Sequence, residues 1–113
     1  MHVLPFEDIQ GKAIESDEVE GVTMRVAAGP DQGAPNFTMR VFTVKPGGHT
    51  PHHHHPYEHE IFFHQGTAEV FYEGETKRIG PGGVAYVAPD ADHQIRNVGD
   101  DDLVFVCVVP KGI

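Results

Sequence analysis

Apolar and polar residues alternate, or cluster in strand-length blocks, along most of this 113-residue chain. Such blocks run from Gly21 to Ala28, Phe37 to Lys45, His59 to Gln65, Ala68 to Tyr72, Thr76 to Ile79, Val84 to Val87, His93 to Asn97 and Leu103 to Val109. A period of two places alternate side chains on opposite faces of a strand, so each block predicts one. The breaks are Gly29-Pro30, Pro46-Gly47-Gly48, Gly66, Glu73-Gly74-Glu75, Gly80 to Gly83, Pro89-Asp90 and Gly99-Asp100, which are turn chemistries rather than helix caps. No eleven-residue window carries a helical period. Eight short strands, with 13 glycines and 9 prolines, predict an all-β sandwich or small barrel. The first twenty residues are less patterned and read as an edge strand or arm.

Length and composition narrow this picture. Residues 1–113 fit one domain, and 39% hydrophobic content supplies one modest core without disulfides. A net charge of −9 and only eight scattered Lys and Arg residues argue against a nucleic-acid or anionic-membrane partner. The opening MHVLPFEDIQ lacks a basic region followed by an apolar stretch, and no eighteen apolar residues run together, so a cytoplasmic location is expected. Cys107 is the single cysteine, which excludes an internal disulfide.

The chemistry is concentrated in His52-His53-His54-His55, followed by Pro56-Tyr57-Glu58-His59-Glu60. On a strand, residues i and i+2 face the same side about 6.5 Å apart, near enough to converge on one ion, and imidazole is the commonest metal ligand. His53 with His55 forms one such pair and His52 with His54 the other. The run alone leaves both registers open.

About forty residues on, Gly83 to Asn97 combines a strand, a proline turn at Pro89 and a lone His93. Together the two segments resemble the cupin superfamily. Gly47, His53, His55 and Gly66 fall on its first motif (residues 47–66), and Gly83, Pro89, His93 and Asn97 on its second (residues 80–97). The turn from Pro89 to His93 is one residue shorter than that pattern, with Ala91 in place of glycine. The resemblance implies a small cupin-type β-barrel, a double-stranded β-helix or jelly roll, with His53 and His55 inside and His52 and His54 in solvent. Where the family usually carries a glutamate ligand the chain has His59, with Glu60 next to it. Parity favours His59, which shares a face with Ile61 and Phe63, although Glu60 shares its face with Phe62 and keeps the alternative open. The strings HPYEHEIF and FVCVVP resemble a single-domain subgroup with four histidines on the metal, which implies His53, His55, His59 and His93 as ligands. Glu58 and Glu60 are then expected to orient imidazoles from outside the metal's own ligands.

Four neutral imidazoles would leave the full divalent charge on the ion, and four ligands around a six-coordinate metal leave two positions open. The expected cofactor is one divalent metal ion, Mn or Fe by preference, with Zn, Ni or Cu possible. The leading functional expectation is a metal-dependent oxidoreductase of dioxygenase type acting on a small organic molecule. A Lewis-acid isomerase or lyase and a non-catalytic ligand-binding cupin are the alternatives. Arg40, Ile61, Phe63, Phe105 and Cys107 are the candidate pocket residues. Of these, Cys107 alternates with valines and reads first as a plain core thiol, and Arg40 reads first as a surface residue. Turned inward, Arg40 would be an anion clamp. Open barrel edges and the resemblance both imply a homodimer.

Overall fold

The computed structural model describes residues 1–112. Nine strands carry the chain: β1 (Lys12–Ala13), β2 (Glu20–Ala28), β3 (Phe37–His49), β4 (His59–Gln65), β5 (Ala68–Tyr72), β6 (Glu75–Ile79), β7 (Val84–Val87), β8 (His93–Asn97) and β9 (Leu103–Pro110). The remaining regular structure is two single 3-10 turns, at Phe6–Asp8 and Pro30–Gln32. All strand pairs are antiparallel, in the order β6-β5-β8-β3-β9-β4-β7, with β2 added alongside β3 and β1 beyond it. The sheet curls around one core. No helix among the described residues is long and apolar enough to cross a membrane.

The long strand β3 is the hub, since it pairs with β2, β8 and β9. It also corrects the sequence reading, which ended this strand at Lys45. Pairing with β2 jumps from Val44 opposite Val22 to His49 opposite Glu20, so Pro46-Gly47-Gly48 forms a bulge inside the strand. A bulge takes the same residues as a hairpin turn, and only the partner strand distinguishes them. Glycine is needed at position 48 because a Cβ there would collide with the Glu20 carbonyl oxygen. Beyond the bulge the strand reaches β8, with His49 opposite Arg96.

Besides the turn at Phe6–Asp8, the arm at the amino end forms the two-residue β1, paired with Thr23 and Met24. Farther back, Arg25 Nε donates to the Ile9 carbonyl at 2.9 Å and ties the arm to β2.

Alternation fixes the inner face. Along β4, His59, Ile61 and Phe63 are buried while Glu60, Phe62 and His64 are exposed. Along β9, Leu103, Phe105, Cys107 and Val109 join the core. Phe105 stacks on Phe42 of β3 at 5.1 Å and tilts against Phe63 of β4 at 5.8 Å. Each such buried side chain stabilises the fold by about 1.5–3 kcal/mol, enough in sum to hold polar groups among them.

The motif residue Asn97 has a structural task. Its Nδ2 donates to the carbonyls of Val44 and Asp101, both at 2.8 Å, and its Oδ1 accepts from the Gly99 amide at 2.9 Å. One buried amide thus joins β3, β8 and the turn before β9. Replacing Asn97 with Ala leaves the Val44 carbonyl without its partner, and a loss of about 1–3 kcal/mol is expected. Urea unfolding of the metal-free protein measures it, and a loss below about 0.5 kcal/mol would contradict this role.

Candidate metal centre

Backbone pairing brings the two histidine segments together. His53 and His93 exchange both amide–carbonyl hydrogen bonds, at 3.1 and 3.0 Å, as an isolated antiparallel bridge. Residues paired this way send their side chains to the same face. His55, two residues on, projects to that face as well. Two further bonds lock the register: Thr50 N to Ile95 O at 2.9 Å and Asp90 N to His55 O at 2.7 Å. His52 and His54 point away, His52 against the Phe71 ring at 4.7 Å and His54 toward Asp92 at 3.2 Å.

One nitrogen from each of His53, His55 and His93 lies within 4.8 Å of the others, the spacing of donors that share one ion. His59 enters from the start of β4. Its Nε2 contacts Nε2 of His55, and its ring lies 5.2 Å from that of His93. Glu60 is exposed on the outer face, opposite Tyr86 and Val108.

The Nδ1 partners decide which nitrogens face inward. His55 Nδ1 meets the Tyr57 carbonyl at 3.0 Å and His93 Nδ1 meets the Ala91 carbonyl at 2.9 Å. A carbonyl only accepts, so each Nδ1 carries the proton and each Nε2 turns a lone pair to the centre. His59 Nδ1 lies 2.9 Å from Cys107 Sγ, which holds that ring in the matching sense. Backbone carbonyls and a thiol therefore do the orienting expected of Glu58 and Glu60. Among the described residues, neither carboxylate bonds an imidazole. Glu60 points outward, and the chain's own carbonyls lie nearer. The donor set fits a divalent cation: neutral imidazoles from separate segments turn their lone pairs toward one point.

The histidines close one end of a cavity of about 170 Å³. Arg40, Ile61, Phe105 and Cys107 line it, as does Phe42. One placement differs from expectation. Phe63 lies deeper in the core, two residues farther along β4, and does not line the cavity. Arg40, named for the pocket although a surface position was its first reading, falls on the same face of β3 as Phe42 and reaches the cavity. The sequence reading missed Tyr57, whose ring stacks on His55 at 3.9 Å, and Ile14 and Val19, which close the wall from the arm. Tyr57 sits within the histidine segment and so carried a signal; Ile14 and Val19 lie in sequence without a period.

No Asp or Glu lines this cavity. Burial, followed by the neighbouring His55, His93 and Arg40, pushes His59 down to about 3 from the usual 6.5. His53 falls to about 4, again chiefly through burial and then through His93. Burial also lowers His93, with the Ala91 carbonyl opposing the shift. At neutral pH these rings are uncharged and ready to bind metal. In the unfolded chain they take up protons near pH 6.5, whereas in the fold they resist down to about 4 and 3. Between pH 6.5 and those values the unfolded state binds more protons, so stability falls as pH falls and is fully restored above 6.5. Melting of the metal-free protein should show this decline, and a variant with His53 and His59 both replaced by Asn should decline less steeply. Equal slopes would contradict the assignment.

The cupin domain family matches residues 40–109, which hold all four inward histidines. The polyketide synthase CurC of Streptomyces cyaneus is 31% identical over 97 residues, covering 84% of this chain and 63% of CurC. The chain thus spans less than two thirds of that relative's length. Among solved structures, the polyketide cyclase RemF from Streptomyces resistomycificus aligns with a TM-score of 0.90 at 26% identity, covering 97% of this chain and 79% of RemF. A cupin 2 domain-containing protein from Halorhodospira halophila aligns with a TM-score of 0.76 at 33% identity, covering 88% of this chain and 69% of that protein. The curled sheet, its two histidine segments and the family match lead to one conclusion: this chain is a member of the cupin domain family.

Proposed function

We propose that the protein is a metal-dependent enzyme that holds one divalent ion on His53, His55, His59 and His93 and acts on an enolisable carbonyl compound. The observation that carries this reading is the convergence of imidazoles on an apolar cavity that contains no carboxylate. A divalent ion on neutral nitrogen ligands supplies Lewis acidity, polarising a carbonyl or stabilising enolate charge. The chain supplies the rest. The Tyr57 and Ala91 carbonyls and Cys107 Sγ keep the Nδ1 protons outside, so each Nε2 stays aimed at the centre. Phe42, Ile61 and Phe105 keep water from the opposite wall, which strengthens electrostatic interactions at the ion.

The likeness to the polyketide cyclase RemF and to the polyketide synthase CurC supports carbonyl chemistry. In ring closure of a polycarbonyl compound, the C–H bond of a carbon between two carbonyls breaks, that carbon bonds to a third carbonyl carbon of the same molecule, and the proton ends on that carbonyl's oxygen. No electrons are gained or lost, so no oxidant is needed. This likeness moves the Lewis-acid reading ahead of the dioxygenase reading. A cavity of about 170 Å³ suits a small molecule, or the reacting end of a longer one, rather than a whole drug-sized ligand. The dioxygenase reading, first on the sequence, now stands second. In its favour, four nitrogen ligands leave two coordination positions, enough for substrate and dioxygen side by side.

Two experiments test the reading. Metal analysis of protein made without a tag or added metal should find metal in the wild type and in Glu60→Ala, and little in His59→Ala. The reverse pattern would move the fourth ligand to Glu60. Zn-, Mn- and Fe-loaded protein should then be assayed with a panel of diketones and triketones under nitrogen and in air. Turnover with Zn under nitrogen, without oxygen uptake, is the expected result. Turnover that requires Fe or Mn together with oxygen would transfer the protein to the dioxygenase reading. Binding without turnover under any metal would make it a ligand-binding cupin.

A further inference from the structure

Arg40 carries a charge that the protein leaves without a counter-ion. It stands on β3 directly opposite Cys107 of β9. Its Nη2 donates to Cys107 Sγ at 3.4 Å, and sulfur is a weak acceptor. Its Nε is buried with no hydrogen-bond partner. The guanidinium carbon lies 5.2 Å from the centre of the Phe42 ring, a contact that orients the group without neutralising it. The sequence has 17 acidic residues, yet none lines the cavity. The two ion pairs among the described residues, His54 with Asp92 and Arg78 with Glu69, lie elsewhere. A guanidinium stays charged in proteins, and desolvating it without a partner is unfavourable. A merely structural arginine would have its counter-charge supplied by the chain.

Cys107 links this group to the histidines, because its Sγ touches both Arg40 Nη2 and His59 Nδ1. With a divalent ion on the histidines, the cavity would offer two electropositive points, the metal at one end and the arginine on the wall beside it. We infer that Arg40 binds a carboxylate of the ligand while a carbonyl oxygen of the same molecule reaches the metal, so that the ligand is an oxo carboxylic acid. A carboxylate matches the planar guanidinium through charge-assisted hydrogen bonds from its Nη groups and supplies the counter-charge the chain does not. The inference rests on the cavity being the ligand site of the proposed enzyme. It does not require that the metal be Zn, Mn or Fe, or that turnover occur.

The test is binding rather than activity. Calorimetric titration of wild-type protein, metal-loaded and metal-stripped, should use pyruvate, 2-oxobutanoate and levulinate, each beside its methyl ester. The acid and ester of a pair differ in charge but hardly in shape. At least one acid should bind wild-type protein tenfold or more tightly than its ester. Arg40→Gln should bring that acid to the level of the ester and leave the ester unchanged. Arg40→Lys, which keeps the charge but loses the fork, should fall between them and serves where the Gln variant does not fold. Selectivity that persists in metal-stripped protein supports Arg40 even if the metal assignment fails. Equal binding of acid and ester in wild type would overturn the inference. So would undiminished selectivity in Arg40→Gln, or an equal loss for acid and ester in that variant.

Discussion

The two hydrogen bonds between the backbones of His53 and His93 hold this site together. They join a segment that follows β3 to the start of β8, forty residues later. Strand pairing, which is indifferent to side chains, thereby sets which histidines face inward. His53 and His93 share a face because they are paired, His55 shares it because it is two residues away, and His52 and His54 are turned out. β4 then adds His59 from the opposite wall, held by its own alternation with Ile61 and Phe63.

Once the rings are placed, the apolar surroundings determine their chemistry. Burial keeps His53, His59 and His93 uncharged at neutral pH, and their mutual repulsion as cations adds to the effect. The same burial raises the Cys107 thiol, against the pull of Arg40. With no carboxylate in the lining, both the metal site and Arg40 attract negative charge. In the proposed complex, ligand anion, metal and arginine would form one electrostatic unit, in which each positive group makes the other's need for an anion greater.

Much of this was legible in the chain. The bounds of β4, β5, β7 and β8 follow from a period of two between turn residues, since those strands end where glycine or proline breaks the pattern. The exposure of Glu60 and burial of His59 follow from the same parity. The features that stayed hidden depend on partners distant in sequence. Pro46-Gly47-Gly48 reads as a turn until β2 is seen to pair on both sides of it. Arg40 was named for the pocket, but its direction stayed open because its face of β3 is covered only when the sheet curls. Ile14 and Val19 carry no period and line the cavity by position alone. The expectation that carboxylates would orient the imidazoles failed because carbonyls and a thiol were closer to hand.

The central claim is that imidazoles from three separate segments meet around one ion. X-ray absorption at the metal edge of Zn-loaded protein tests it most directly, by counting the ligands and identifying their type. The account predicts nitrogen or oxygen neighbours only, with the outer-shell scattering of four imidazole rings and no sulfur. A spectrum with one or two rings, or with Cys107 sulfur bound to the ion, would contradict it.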